Sequence, residues 1–195
     1  NLIPREEFRR DLRLAKSSLE DASGAQVVGF RAPDFSIGDT NRWAFDELFE
    51  AGFRYDSSVV PTSIHDVYGM ANTPEGVFRW PNGLVEFPLP IARFFGFQIP
   101  IGGGGYFRLF PQSWTMRAFE RRNLRNQPTT FYIHPYEIGP AAPRLPGLSP
   151  VRRFRHYVRL AGGAGRIAPL LKRVSFASMA EVLRSHGFLD SETGQ

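Results

Sequence analysis

Two short apolar runs, each followed closely by a proline, constrain the fold of this chain most. The first covers residues 26–30 and leads into Arg31, and the second covers residues 129–134 and ends in His134. Proline cannot donate to a strand ladder, so each run is predicted to be a buried strand that stops at its proline. Arg31 and His134 are therefore expected at strand ends, on the rim of a sheet.

Segments with helical periodicity lie between the apolar runs. Pro4, an acidic first turn and Gly24 frame an amphipathic helix over residues 4–24. Alternation of strand and helix indicates an α/β fold with a parallel component, in which chemistry takes place at the carboxyl ends of strands. Further helices are predicted over residues 41–50, 113–126, 152–160, 167–173 and 179–186, and further strands over 85–89 and 174–176, with an irregular excursion over 56–84.

Length and composition narrow the class of protein. The 195 residues suit one domain, 1–195, and a chain that is 42% hydrophobic and 14% aromatic is not disordered. The absence of cysteine excludes thiolate zinc sites and cysteine nucleophiles. Of the 24 cations 22 are arginine, and they are scattered along the chain, so no nucleic-acid partner is predicted. No apolar run is long enough for a transmembrane segment, and the compartment, bacterial cytoplasm or periplasm, stays open.

Four glycines at 102–105 invite comparison with a phosphate-binding loop. No Lys-Ser or Lys-Thr pair follows them, and no helix is predicted to open directly after them. The glycines are instead predicted to form a tight turn that allows close approach of the backbone.

The stretch 152–159 interleaves arginines with aromatic residues, as nucleic-acid and anionic-glycan surfaces do. On a helix, Phe154, Val158 and Ala161 would share one face and the arginines would occupy the others. A solvated basic face is the favoured interpretation.

Histidine spacing argues against a complete metal site in this chain. The four histidines, at 65, 134, 156 and 186, show no paired spacing, and His65 with the adjacent Asp66 is poor geometry for one ion. His134 can serve as an acid or base at a rim, or as a structural histidine bonded to a carbonyl. Arg31 can orient a carboxylate, or can form an ordinary structural ion pair.

Four segments in order, 29–36, 52–58, 103–108 and 131–137, together with the closing 175–179, carry a family resemblance. The chain resembles the polysaccharide deacetylase (NodB-homology) family, and most of all the branch found with exosortase and exopolysaccharide gene clusters. The resemblance implies an irregular (β/α) barrel. It also implies hydrolysis of N-acetyl groups from an N-acetylated polysaccharide of the exopolysaccharide or cell envelope, with zinc or another divalent metal.

The same resemblance implies residue roles. Arg31 matches the arginine that orients a catalytic aspartate, and His134 matches the general acid that protonates the leaving amine. Tyr55 and Asp56 fall in an acetyl-pocket motif, here without the tryptophan common in other branches. The substrate-binding residues implied are Pro33, Phe35, Tyr55, Asp56 and Tyr106.

The family's aspartate pair and His-x-x-x-His motif lie before the Arg-x-Pro segment, and the 30 residues that precede Arg31 contain neither. The chain is therefore expected to be the carboxyl-terminal part of such a domain, with a barrel incomplete at its amino-terminal end. Its metal ligands are expected outside the chain, and the chain alone is expected to be inactive. The alternative is a non-catalytic glycan-binding or assembly relative that keeps the fold.

Overall fold

A computed structural model describes residues 3–63, 69–94, 96–139, 144–160 and 162–190. The chain divides into two compact units, residues 1–89 with 180–195 and residues 90–179. Both helices and strands are present, so the predicted α/β class is confirmed.

The first unit begins with the predicted amphipathic helix. Glu6 and Glu7 lie in its first turn, and Gly24 ends it in the left-handed conformation (φ 66°), where its N–H donates to Glu20 O at 2.8 Å. The elements of this unit are α1 (Arg5–Ser23), β1 (Gly29–Phe30), α2 (Trp43–Glu50), β2 (Tyr55–Asp56), β3 (Phe78–Arg79) and β4 (Val85–Glu86). All of α8 (Met179–Ser185) except its first residue also belongs to this unit.

The strands of this unit form one sheet in the order β1-β2-β4-β3. Strands β1, β2 and β4 are parallel, with Phe30, Asp56 and Glu86 in register, and β3 is antiparallel to β4. The carboxyl ends of three strands therefore lie side by side. Helices α1 and α2 cover the sheet with a core that includes Leu12, Phe45 and Leu48.

The second unit contains a hairpin and several helices. Its core is centred on Phe119 and Leu170, both almost fully buried. Its elements are β5 (Ile91–Phe94), β6 (Phe97–Pro100), α3 (Gly104–Leu109), α4 (Gln112–Leu124), α5 (Pro135–Ile138), α6 (Pro150–Tyr157) and α7 (Gly163–Arg173).

The predicted strand over 129–134 is wrong. In this segment only Tyr132 forms a bridge, with Gly103, because its partner is the glycine turn instead of a strand. Tyr132 N–H donates to Gly102 O at 2.8 Å. The predicted strand over 174–176 is also absent from the structure.

The glycine run confirms one expectation and corrects another. A Cβ at Gly103 would lie 1.9 Å from Tyr132 O, so the close backbone approach is confirmed. A helix does open directly after the first two glycines, because α3 begins at Gly104. The lack of a following Lys-Ser or Lys-Thr pair still separates the run from a phosphate-binding loop.

The two sheets stay separate, and within the described residues neither closes into a barrel. No helix in that part of the chain is long and apolar enough to cross a bilayer.

Candidate functional site

Arg31 is fixed along the carboxyl ends of the three parallel strands. Its Nε donates to Ser57 O at 2.9 Å and its Nη2 donates to Ser57 Oγ at 2.7 Å. Ser57 Oγ in turn donates to Phe87 O at 2.6 Å, at the end of β4. Nε and Nη2 both donate to Ser57, which directly follows the adjacent strand β2. These two bonds fix the plane of the guanidinium relative to the sheet.

The loop after Arg31 has a strained backbone. Asp34 and Phe35 both adopt positive φ angles, 53° and 54°, which side-chain-bearing residues seldom adopt. The guanidinium carbon of Arg31 lies 5.6 Å from the centre of the Phe35 ring, a cation–π distance. Pro33 is exposed beside it. Strain of this kind concentrates at binding and catalytic sites, and it singles out this loop.

Asp56 lies beneath the loop and is fully buried. Its carboxylate accepts hydrogen bonds from Ser58 N at 3.0 Å and from Ser58 Oγ at 2.7 Å. Ser58 Oγ also accepts from Ala32 N at 2.8 Å. Asp56 therefore acts on the loop after Arg31 through Ser58, and it exposes no surface of its own.

Glu86 is the buried neighbour of Asp56 in the sheet. It is fully buried, and its Oε1 accepts from Val59 N at 3.1 Å. Burial raises the pKa of both carboxyls, and the charge of Asp56 raises the pKa of Glu86 further. Asp56 and Glu86 are in register on neighbouring strands, and Glu86 Oε2 has no hydrogen-bond partner among the described residues. Burial and the charge of Asp56 therefore both favour the protonated form of Glu86.

Tyr55 is half-buried, next to Asp56 on β2 but on the other face of the sheet. A Cβ added to Gly29 would lie 2.1 Å from Cζ of the Tyr55 ring, so the ring covers the glycine on the adjacent strand. Burial raises the pKa of the Tyr55 hydroxyl. The ring takes the place of a side chain at position 29.

His134 lies in the second unit, immediately before α5. Its backbone N–H donates to Glu137 Oε2 at 2.8 Å, and Glu137 Oε1 accepts from Arg108 Nε at 2.8 Å. Both members of that ion pair are buried. Arg108 Nη1 also donates to the carbonyls of His156 and Val158, at 2.8 and 2.9 Å. The backbone at His134 is thus attached to a buried ionic network.

The imidazole of His134 is exposed and belongs to a column of rings. It stacks on Tyr136 with ring centres 5.3 Å apart, and Tyr136 stacks on His156 at 5.2 Å. Tyr132 meets His134 edge-on at 5.7 Å. Burial raises the pKa of the Tyr136 hydroxyl. The stacking sets the plane of the imidazole and leaves the ring at the surface.

The predicted site residues are divided between the units. Tyr106 is half-buried on α3, stacked on Phe110 at 6.4 Å. The first unit holds Arg31, Pro33, Phe35, Tyr55 and Asp56, and the second holds Tyr106 and His134.

The described part of the chain contains no set of ligands for a divalent metal. No three histidine, aspartate or glutamate side chains come together there. His65 and Asp66, weighed above as ligands, lie outside the described residues. The donor groups of the described residues do not fit a metal centre.

Sequence reasoning did not find Glu86, Ser58 or Arg108. Glu86 carried a usable signal, because it is a lone charge inside the apolar run 84–89. Arg108 carried none, because its partner Glu137 is 29 positions away.

Fold and site together describe an α/β chain with an ordered arginine at parallel strand ends and an exposed histidine on a ring column. The chain belongs to the family described as Domain of unknown function (DUF3473), whose model matches residues 57–184. No curated protein and no solved structure matches the chain.

Proposed function

We propose that this chain is part of a polysaccharide N-deacetylase, an enzyme that hydrolyses N-acetyl groups of an N-acetylated polysaccharide in exopolysaccharide or envelope metabolism. Its family is found in polysaccharide deacetylase-like proteins, which supports the proposal. The observation that carries it is Arg31, held rigidly at the carboxyl ends of parallel strands. On this proposal β1, β2 and β4 are neighbouring strands of an irregular (β/α) barrel.

Arg31 is proposed as the positioning residue for a catalytic carboxylate. Its bonds to Ser57 fix the plane of the guanidinium before any partner arrives, so an approaching carboxylate meets an oriented donor. A nearby cation also keeps a carboxylate ionised, which is the state that a general base requires. Asp56 is proposed to act indirectly, by holding the loop through Ser58.

His134 is proposed as the general acid that protonates the departing amine. The amine of an amide is a poor leaving group until it receives a proton, and an exposed imidazole can deliver one near neutral pH. The stack on Tyr136 fixes the ring plane, and the Glu137 bond fixes the backbone. Pro33, Phe35, Tyr55 and Tyr106 are proposed to contact the sugar.

The proposal includes zinc or another divalent metal, whose ligands the resemblance assigns to motifs that this chain does not contain. The described residues supply no such set.

The test is steady-state kinetics on the full-length protein, with acetate release measured on N-acetylglucosamine oligomers. His134→Ala should lower kcat by about 10²–10⁴ with KM little changed, because a proton donor acts in the transition state. The matched control is His186→Gln, because His186 is a histidine of the first unit with no proposed role in the reaction. Near-wild-type turnover by His134→Ala would remove the assigned role.

The exposed ring column favours one other candidate, a glycan-binding relative without catalysis, since aromatic rings present apolar faces to sugars. Such a protein would bind the oligomers and release no acetate. The wild-type arm of the same assay separates the two candidates.

A further inference from the structure

Charge is distributed very unevenly between the two units. Residues 90–179 hold 14 arginines and lysines and only two acids, Glu120 and Glu137. Glu137 is buried against Arg108, so its charge is already neutralised. From residue 138 to residue 180 the sequence contains eight cations and no acid at all. Such a unit attracts anionic partners over a range set by the ionic strength.

Apolar side chains are exposed within this same acid-free segment. On α6, Val151 is 68% exposed and Phe154 is 58% exposed, and their spacing of three places them on one face of the helix. The expectation of a merely solvated basic face is therefore incomplete, because Phe154 lies at the surface. Val158 is half-buried, and Ala161 lies outside the described residues.

Phe154 borders an open cleft between α6 and the segment that leads into it. The cleft has a volume of about 1000 Å³ and is lined by Arg144, Leu145, Arg153 and Phe154, among others. Tyr157 ties the two walls together, since its hydroxyl accepts from Leu145 N at 2.7 Å. Arg144, Leu145, Val151, Arg153 and Phe154 are called the α6 face below.

We propose that the α6 face binds the surface of an anionic phospholipid bilayer. Exposed apolar side chains beside arginines, in a segment whose sequence contains no acid, are the composition that inserts shallowly among lipid headgroups. The arginines pair with anionic headgroups, and Val151, Leu145 and Phe154 leave water for the acyl boundary. This inference is independent of the proposed deacetylase function.

A hydrated polyanion explains these observations less well. Nucleic acids and acidic glycans also attract arginine, but valine and leucine side chains gain nothing from contact with their charged backbones. Two of the three exposed apolar side chains of the α6 face are aliphatic. An anionic bilayer binds both kinds of residue at once, because its headgroups pair with arginines and its acyl boundary takes up apolar side chains.

The experiment is co-sedimentation of the 195-residue chain with vesicles, either pure phosphatidylcholine or 70:30 phosphatidylcholine and phosphatidylglycerol. We expect binding to the anionic vesicles only, weakening as salt rises from 50 to 500 mM. V151S/F154S should weaken partitioning by about tenfold or more, and R144Q/R153Q should remove the preference for anionic lipid. Both pairs change exposed side chains, so circular dichroism and the thermal melt should match the wild type.

Helix α1 offers a matched control. Leu14 and Leu19 are 66% and 56% exposed, and the helix carries five cations and five acids. L14S/L19S should leave vesicle binding unchanged.

A gain-of-signal variant tests insertion directly. The indole of F154W should shift its emission to the blue on anionic vesicles and be quenched by brominated acyl chains. Equal binding to neutral and anionic vesicles would overturn the proposal. Binding that V151S/F154S leaves intact and that DNA or a polyuronate displaces would assign the surface to a polyanion instead.

Discussion

Two places in the molecule carry the candidate catalytic residues, and they are built differently. Arg31 is held by its own side chain, through hydrogen bonds that run across three strand ends. His134 is held by its backbone, through Glu137 and Arg108, while its imidazole stays exposed. The residue proposed to orient a carboxylate is thus held by its guanidinium, and the residue proposed to transfer a proton is held by its backbone.

The buried ionisable groups that lie next to Arg31 and next to His134 also differ. Beneath the Arg31 loop two buried carboxyls, Asp56 and Glu86, are in register on neighbouring strands, and burial raises the pKa of both. Beneath His134 a carboxylate meets a guanidinium, Glu137 against Arg108. Protonation favours the first arrangement, so the contribution of Asp56 and Glu86 to stability should depend on pH.

The largest effect is expected under His134. Arg108→Ala removes the cation that binds Glu137 and two carbonyls, and it leaves a buried carboxylate without its counter-ion. The free energy of unfolding of the second unit should fall by about 3–5 kcal/mol. Chemical denaturation followed by the fluorescence of Trp114, the tryptophan of this unit, measures it. A loss below 1 kcal/mol would contradict the network, and exposed Arg117→Ala is the control.

The next effect concerns pH and the first unit. The folded pKa values of Asp56 and Glu86 are raised, so the folded chain holds more protons than the unfolded chain above about pH 4. Their contribution is complete below that pH and is lost as pH rises through the raised pKa. Glu86→Gln should match the wild type below about pH 4 and be more stable by about 1–3 kcal/mol near pH 9. Parallel pH profiles for the two proteins would refute the raised pKa of Glu86.

A smaller effect is expected at Arg31 itself. Arg31→Ala removes two hydrogen bonds that the half-buried Arg31 side chain donates to Ser57, and it should cost about 1–2 kcal/mol of stability. Ser57→Ala removes one of the same contacts, so the double variant should cost less than the two single costs added together. A double-mutant cycle by urea denaturation checks this, and strict additivity would show that the bonds do not matter.

The smallest effect is expected at His134. Its ring is exposed, so His134→Ala should change the free energy of unfolding by less than about 0.5 kcal/mol. Tyr136→Ala removes a ring stacked on both sides and should cost more than that. A His134→Ala variant that unfolds early would mark the histidine as structural.

Local signals predicted most of the helices but missed α3 and α5, and they did not predict which segments pair as strands. The helix from Pro4 to Gly24 carries its cap, its acidic first turn and its apolar stripe in the sequence, and α1 follows it within a residue. Residues 129–134 have strand composition but no strand beside them, so only the Tyr132 bridge forms. Strand formation depends on what lies next to the segment, which a local pattern does not contain.

The candidate site shows the same division. The position of Arg31 at the end of a parallel strand follows from a short apolar run and a proline, and it is confirmed. The burial of Asp56 does not follow from its neighbours, because it depends on Glu86, 30 positions later, lying beside it in the sheet. Contacts between distant positions decide which polar residues face solvent and which support them.

The unequal charge of the two units has a consequence for the behaviour of the purified protein. The first unit holds ten cations and 17 acids, whereas the second holds 14 cations and two acids. The chain is therefore a polyampholyte, and its pI near 10 describes neither unit. At low ionic strength the acidic half of one copy attracts the basic half of another. Added salt screens that attraction, so solubility should rise with salt, and the chain should bind anion- and cation-exchange resins alike.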